Sequence, residues 1–279
     1  MYRYILLLFI IHSQSAYSQE PKLEHEVGVN LGVVNYYGDL NTQFGLSGIG
    51  PSASVFWRGN YGHRFAIKTA LSRMYVSASD VNSSSLFQQQ RNLSFKSAIT
   101  DLNAQLEFNF LHFVKNVFYN NQGSTFTPYI SVGLGAFFFN PQTDYNGKTY
   151  DLQPLGTEGQ TDRSYTDIGR YNLYALSFNY GAGLKVHMKR NLSIGIDFNI
   201  HRTFTDYLDD VSGQYVPVIS LNQQDKGMAY LLYDRSKELG KAIGEPGKQR
   251  GSMNGNDDFA TLMISLSWTF VKPFCPGAE

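Results

Sequence analysis

Three carboxylates, Asp206, Asp209 and Asp210, stand close together in the run Phe204-Thr205-Asp206-Tyr207-Leu208-Asp209-Asp210-Val211-Ser212. Such a cluster suits Ca²⁺ in principle, but the spacing lacks the central glycine and distal glutamate of an EF-hand loop. Aspartates that form turns or order a loop are the better reading. His187 and His201, together with the acids of the polar faces, raise the question of a hydrolase. A nucleophile, a base and an orienting acid would have to converge, and the chain contains neither Gly-x-Ser-x-Gly nor His-Glu-x-x-His. His201 is read instead as a lumenal hydrogen-bonder. Gly133-x-Gly135 and Gly181-x-Gly183 resemble phosphate-binding glycines, yet each sits inside an alternating segment with no helix after it, so a dinucleotide site is excluded. Cys275 is the one cysteine, so neither an internal disulfide nor a multi-cysteine metal site can form. No cofactor and no small-molecule substrate are expected.

The elements that must position these residues show in the composition. The chain of 279 residues has 23 Lys+Arg against 23 Asp+Glu, is 16% charged, and carries 20 Phe, 19 Tyr, 2 Trp and 26 Gly. A balanced charge argues against nucleic acid, whose binding needs a cationic surplus. Residues 1–18 read as a secretory signal: one arginine, the apolar run from Ile5 to Ile11, then small and polar residues ending Ala16-Tyr17-Ser18. That run is far short of the roughly 20 residues a helix needs to span a bilayer, and no later stretch is long enough either.

Period-two alternation dominates the rest, placing successive side chains on opposite faces of a strand. The clearest case sets Asp101, Asn103, Gln105, Glu107 and Asn109 against Leu102, Ala104, Leu106, Phe108 and Phe110. Similar alternation begins near Val27, Phe65, Ile130, Leu176, Leu192 and Leu262, with a weaker segment around Ala53, Val55 and Trp57, making eight. Segments of about ten residues suit tilted strands that cross a membrane.

A soluble sandwich alternates in the same way, so three further features decide. Glycine and small residues concentrate on the polar face, as a narrow interior requires. Both signs of charge occur there, Glu26, Asp101, Glu107 and Asp197 with Arg64, Lys68 and Lys185, and His201 joins them as a paired lumen filling. Aromatics crowd the strand ends at Tyr36, Tyr37, Phe137, Phe139, Tyr171, Tyr174 and Phe204, which reads as interfacial girdles. Connections of roughly residues 38–47, 77–92, 139–171 and 204–257 alternate with tight turns near Gly59–Gly62 and Met188–Asn191, while the fourth connection, near 113–127, is long for a turn. The reading is an all-β, eight-stranded antiparallel transmembrane barrel of the OmpA/OmpX kind over residues 19–271, with long outer loops, a short tail over 272–279, and both termini in the periplasm. A short helix is expected within Met228–Ile243.

Several ordered words in the chain resemble the PorG family, the outer-membrane barrel component of the Bacteroidota type IX secretion system. They are Asn35-Tyr36-Tyr37-Gly38-Asp39-Leu40, Arg91-Asn92-Leu93-Ser94-Phe95-Lys96-Ser97, Gln105 to Phe110, Tyr145-Asn146-Gly147-Lys148, Tyr150 to Gln160, Thr203 to Ser212, Gln249-Arg250-Gly251 and Ser267-Trp268-Thr269-Phe270. The resemblance implies a non-enzymatic part that ties the periplasmic ring of PorK and PorN to the outer membrane, with outer-membrane lipid and other secretion components as further partners. It brings no catalytic residues. The matching loop words make Tyr150, Asp151, Gln153, Glu158, Phe204, Asp206, Tyr207, Asp209 and Asp210 candidates for a contact surface. Their position on the outer side conflicts with a periplasmic ring, for which the second, fourth and sixth turns, Gln19 to His25 and the tail with Cys275 are the better candidates. The alternatives are a stand-alone structural or adhesive barrel and a lipid- or peptide-hydrolysing enzyme.

Overall fold

The computed structural model describes residues 23–42, 48–111, 113, 125–160, 162, 169–188, 191–221, 226–252 and 255–270. The signal reading at 1–18, most of the fourth connection and the tail with Cys275 lie outside these residues.

Each alternating segment forms a strand: β1 (Leu23–Tyr37), β2 (Gly50–Tyr61), β3 (Phe65–Ser79), β4 (Ser94–Asn109), β5 (Phe126–Phe138), β8 (Tyr174–His187), β9 (Leu192–Thr203) and β10 (Asp258–Phe270). All neighbours pair antiparallel, and β1 pairs with β10, with Val27 opposite Trp268 and Leu31 opposite Ile264, so the sheet closes on itself. Closure leaves no unpaired strand edge among the eight. The turn between β2 and β3 falls at residues 62–64, because β2 continues through Gly59 to Tyr61.

Burial alternates along the strands. Leu31 and Leu134 (65% exposed) and Ile264 (62%) face outward, whereas their neighbours Asn30, Gly135 and Ser265 are buried. An outward apolar surface running round eight strands far exceeds the patches that water-soluble monomers tolerate, so hydrocarbon is its solvent. No helix among the described residues is long and apolar enough to cross a membrane.

Gly133 and Gly181 are needed for packing. A Cβ on Gly133 would lie 2.1 Å from the Ala104 carbonyl oxygen, and one on Gly181 would lie 2.2 Å from that of Phe198.

Beyond the strands, four loops build a cap over one barrel end. It contains α1 (Leu86–Arg91), the hairpin β6 (Pro141–Tyr145) and β7 (Lys148–Asp151), α2 (Leu152–Leu155), α3 (Lys226–Tyr233) and a 3-10 turn at Arg235–Leu239. The hairpin turns at Asn146-Gly147, both at positive φ (49° and 77°), the conformation that Asn-Gly favours. β6 joins the end of β4, with Ser97 opposite Pro141.

The cap has its own apolar core, in which Tyr36, Phe137, Phe139 and Tyr171 are buried with Leu208, Val211, Tyr215 and Tyr233. Those four aromatics, expected at the lipid interface, point inward and roof the lumen. Tyr174 (73% exposed) and Phe204 (62%) do face out. The opposite rim is ringed by Trp57, Tyr61, Phe65, Phe126, Trp268 and Phe270, all exposed.

Candidate functional site

The lumen is built by side chains of alternate residues that the closed sheet points inward. Arg58 on β2 reaches Glu26 Oε1 on β1 at 2.8 Å and Glu107 Oε2 on β4 at 2.9 Å. Lys185 on β8 donates to the same Glu107 Oε2 and to Asn109 Oδ1 at 3.2 Å. Lys68 meets Asp197 Oδ1 at 3.2 Å, and the Tyr129 hydroxyl donates to the same oxygen. Phe56 lies beneath both Arg58 and Lys68, 4.8 Å from each cation to its ring centre.

Three cations therefore meet three acids, and the fourth acid, Asp101, accepts from Asn103 at 2.6 Å. Each charge would be very costly if left alone in this setting, so the set is interlocked. A gap between Asn30, Lys68, Asn103, Gln105 and His201 measures about 20 Å³, space for about one water. The lumen is filled.

Glu26, Lys68, Asp101, Glu107, Lys185, Asp197 and His201 all lie in the lumen. Arg64 does not: it is exposed in the β2–β3 turn, one step beyond the last lumenal position. The lumenal arginine is Arg58, which sequence reasoning passed over because β2, with Pro51, Gly59 and Trp57, alternates weakly. His201 also differs from expectation. Its ring stacks on Phe259 at 4.4 Å and 14°, and its Nδ1 has no hydrogen-bond partner among the described residues, so it packs as an aromatic. His187 Nδ1 lies 3.3 Å from Ser193 Oγ, but both are buried among lumen side chains, with the His187 ring edge-on to Phe113. Among the described residues, no group of three or more His, Cys, Asp or Glu side chains is arranged to hold a metal.

The cap contains a second charged network. Arg91, at the C-terminal end of α1, holds Asp80 through Nε at 2.8 Å and Nη2 at 2.7 Å. It also donates to the Asp39 carbonyl at 2.8 Å and to the Arg250 carbonyl. Arg250 reaches Glu158 Oε1 at 2.8 Å, the Asp210 carbonyl at 2.7 Å and the Tyr233 carbonyl at 3.2 Å. Glu158 also accepts from Ser212 N at 3.0 Å, and both carboxylate oxygens of Asp39 accept from Ser252 N, at 3.0 and 2.9 Å. All four loops are tied together by these contacts.

Tyr36 Oη lies between Asp209 Oδ2 and Asp257 Oδ1, 2.8 Å from the latter. A hydroxyl has one proton to donate, so one of the two carboxyls must itself be protonated. Burial, reinforced by mutual repulsion, pushes the Asp257 carboxyl well up, and burial with the nearby Asp39 charge does the same to Asp209. Burial likewise raises Asp206 to about 7 and Asp210 to about 6. For Asp210 desolvation outweighs Arg250, whose Nη2 is 3.9 Å away.

The loop residues expected on a contact surface divide. Glu158, Asp209 and Asp210 are buried struts of the cap, so these three are not surface groups. Gln153 Nε2 donates to the Tyr171 carbonyl at 2.9 Å, Tyr207 stacks on Tyr171 at 4.6 Å, Asp206 accepts from Ser212 Oγ at 2.6 Å, and Tyr150 packs against the cap core. Asp151, which accepts from Asn140 and Gln142, and Phe204 are exposed. The missed cap residues Asp39, Arg91 and Arg250 all fall in the words that carry the family resemblance.

Similar architectures occur among solved outer-membrane proteins. Neisserial surface protein A is 9% identical, with 88% of this chain and 97% of that one covered at a TM-score of 0.43. OprG of Pseudomonas aeruginosa is 7% identical, with 91% and 98% covered at 0.44. Ail, the attachment invasion locus protein of Yersinia pestis, is 11% identical, with 90% and 100% covered at 0.39. No curated protein matches the chain. Residues 2–215 match the family described as Domain of unknown function (DUF6089), and the chain belongs to that family.

Proposed function

We propose that this barrel is a non-enzymatic anchor in the outer membrane, serving the type IX secretion system as PorG-like barrels do and holding the periplasmic ring of PorK and PorN. The observation that supports an anchor is the Arg58–Glu26–Glu107–Lys185 network, which crosses and fills the lumen beneath a sealed cap. An eight-strand lumen so filled has no room for cargo. What remains for function is outer surface: an apolar belt for lipid and two rims. In this reading the cap is extracellular, and the ends of β1 and β10 with the turns at 62–64 and 188–191 face the periplasm and the ring. The loop words build the cap and are not themselves the ring contact, which removes the conflict between their outer position and a periplasmic partner.

Copurification from membranes with a tagged chain tests this, together with cargo secretion in a deletion strain. Recovery of ring subunits and loss of secretion are expected. Recovery without ring subunits would favour a stand-alone structural or adhesive barrel instead.

A further inference from the structure

We propose that the outward face of β3, β4, β5 and β8, on the side nearer the cap, binds one acyl lipid whose headgroup is a terminal, net-anionic phosphate, with Arg73 on that phosphate. The register sets Arg73 opposite Thr100, Thr100 opposite Phe138, and Phe138 opposite Tyr174. The next rung down runs through Leu102, Ala136 and Leu176, and the small Ala136 leaves a dent between its larger neighbours. The result is an apolar groove of about 380 Å³ on the lipid side, its rung nearer the cap formed by Thr100 and the Phe138–Tyr174 ring pair, 5.0 Å between centres. A groove of that shape accepts an acyl chain.

Charge identifies the headgroup. Along β3 the outward residues are apolar or hydroxylic from Phe65 to Leu71, and the polarity changes at Arg73; along β4 it changes at Thr100. The groove therefore ends where hydrocarbon gives way to headgroups. Arg73 donates to Thr100 Oγ1 and lies 5.5 Å from the Tyr75 ring centre, which fixes its guanidinium beside the groove. The other outward cations of the eight barrel strands are paired, Lys96 with Asp144 at 2.7 Å and Arg202 with Asp258 at 3.5 Å. Arg73 has no carboxylate partner among the described residues, and a planar guanidinium suits a lipid phosphate. This inference rests on the barrel being transmembrane and is independent of the secretion role.

The test uses the full barrel in phosphatidylcholine nanodiscs doped with phosphatidic acid, with retained lipid read by native mass spectrometry. One phosphatidic acid per barrel should persist, Arg73→Gln should reduce its retention about fivefold, and Ala136→Leu should reduce it by filling the groove. Arg202→Gln, at a cation already paired, should leave it unchanged. Equal retention by wild type and Arg73→Gln, equal retention of phosphatidylcholine, or indifference to Ala136→Leu would each overturn the proposal. Migration of each variant as a folded barrel on unheated gels separates these outcomes from misfolding, and a wild-type chain that does not insert would overturn the membrane reading as well.

Discussion

Replacing Arg250 by Met should open the cap while leaving the barrel intact. Arg250 is 2% exposed and bonds Glu158 Oε1 at 2.8 Å, the Asp210 carbonyl at 2.7 Å and the Tyr233 carbonyl at 3.2 Å. The methionine roughly preserves volume, so what is lost is charge and hydrogen bonding. Glu158 is then left buried with only backbone amides, Ser212 N at 3.0 Å and Gly213 N at 3.3 Å. Removing one partner of a buried ion pair costs about 3–5 kcal/mol, which is roughly 10²- to 10⁴-fold in the cap-opening equilibrium. Because Arg250 touches only loop residues, that cost should appear as local opening. Hydrogen exchange read by mass spectrometry should show amides of residues 208–216 accelerated by at least about 10², with β-ladder amides unchanged. Adding Glu158→Gln removes the stranded charge and should restore about 1–3 kcal/mol. Cap exchange within about threefold of wild type, or β-ladder and cap amides accelerating together, would refute a cap whose stability is separable and held by this pair.

In the lumen, Arg58→Leu strands Glu26 and half of Glu107 and should lower barrel stability by about 3–5 kcal/mol, read as a shifted urea midpoint in vesicles; a loss under about 1 kcal/mol would contradict the interlocked network. Val132→Arg, on the outward face midway along β5, should cost about 2–4 kcal/mol in vesicles, whereas at an equally exposed site in water it would be close to neutral. Cap stability should fall as pH rises. Asp206 and Asp210 bind protons more tightly folded than unfolded, so their contribution is complete below the ordinary carboxylate value of 3.8 and is lost as pH rises through about 6 for Asp210 and about 7 for Asp206. Proteolysis of the cap by a protease active over the whole range should be slower at pH 5 than at pH 8, and a flat or opposite profile would count against the raised carboxyls of Asp206 and Asp210 in the folded cap.

The strands were legible in the chain because alternation is a local property. A pleated backbone sends Leu102 and Asn103 to opposite faces whatever the rest does, and a hydrogen-bond ladder then needs only a neighbour of like length. The same period placed Glu26, Lys68, Asp101, Glu107, Lys185 and Asp197 on inward faces. It misplaced Arg64 by extending β3 one step too far, and it missed Arg58 on the least regular strand. The Asn146-Gly147 hairpin carries a turn dipeptide inside what alternation alone leaves as one long connection, and the helix expected within Met228–Ile243 appears as α3, which begins at Lys226, followed by a 3-10 turn.

Which charges meet was decided only by closure. Arg58 pairs with Glu107 across 49 positions and Lys68 with Asp197 across 129, distances set by strand number and register rather than by any local pattern. The cap lay further from view, because its loops bury aromatics without a period that marks a buried face. Tyr36 and Phe139 look like girdle residues by position, and only the loops folding above them turn them into a core. The charged residues that hold those loops were present as words, and the reason for them, Asp39, Arg91, Glu158, Asp210 and Arg250 meeting away from water, is a property of the assembled tertiary structure.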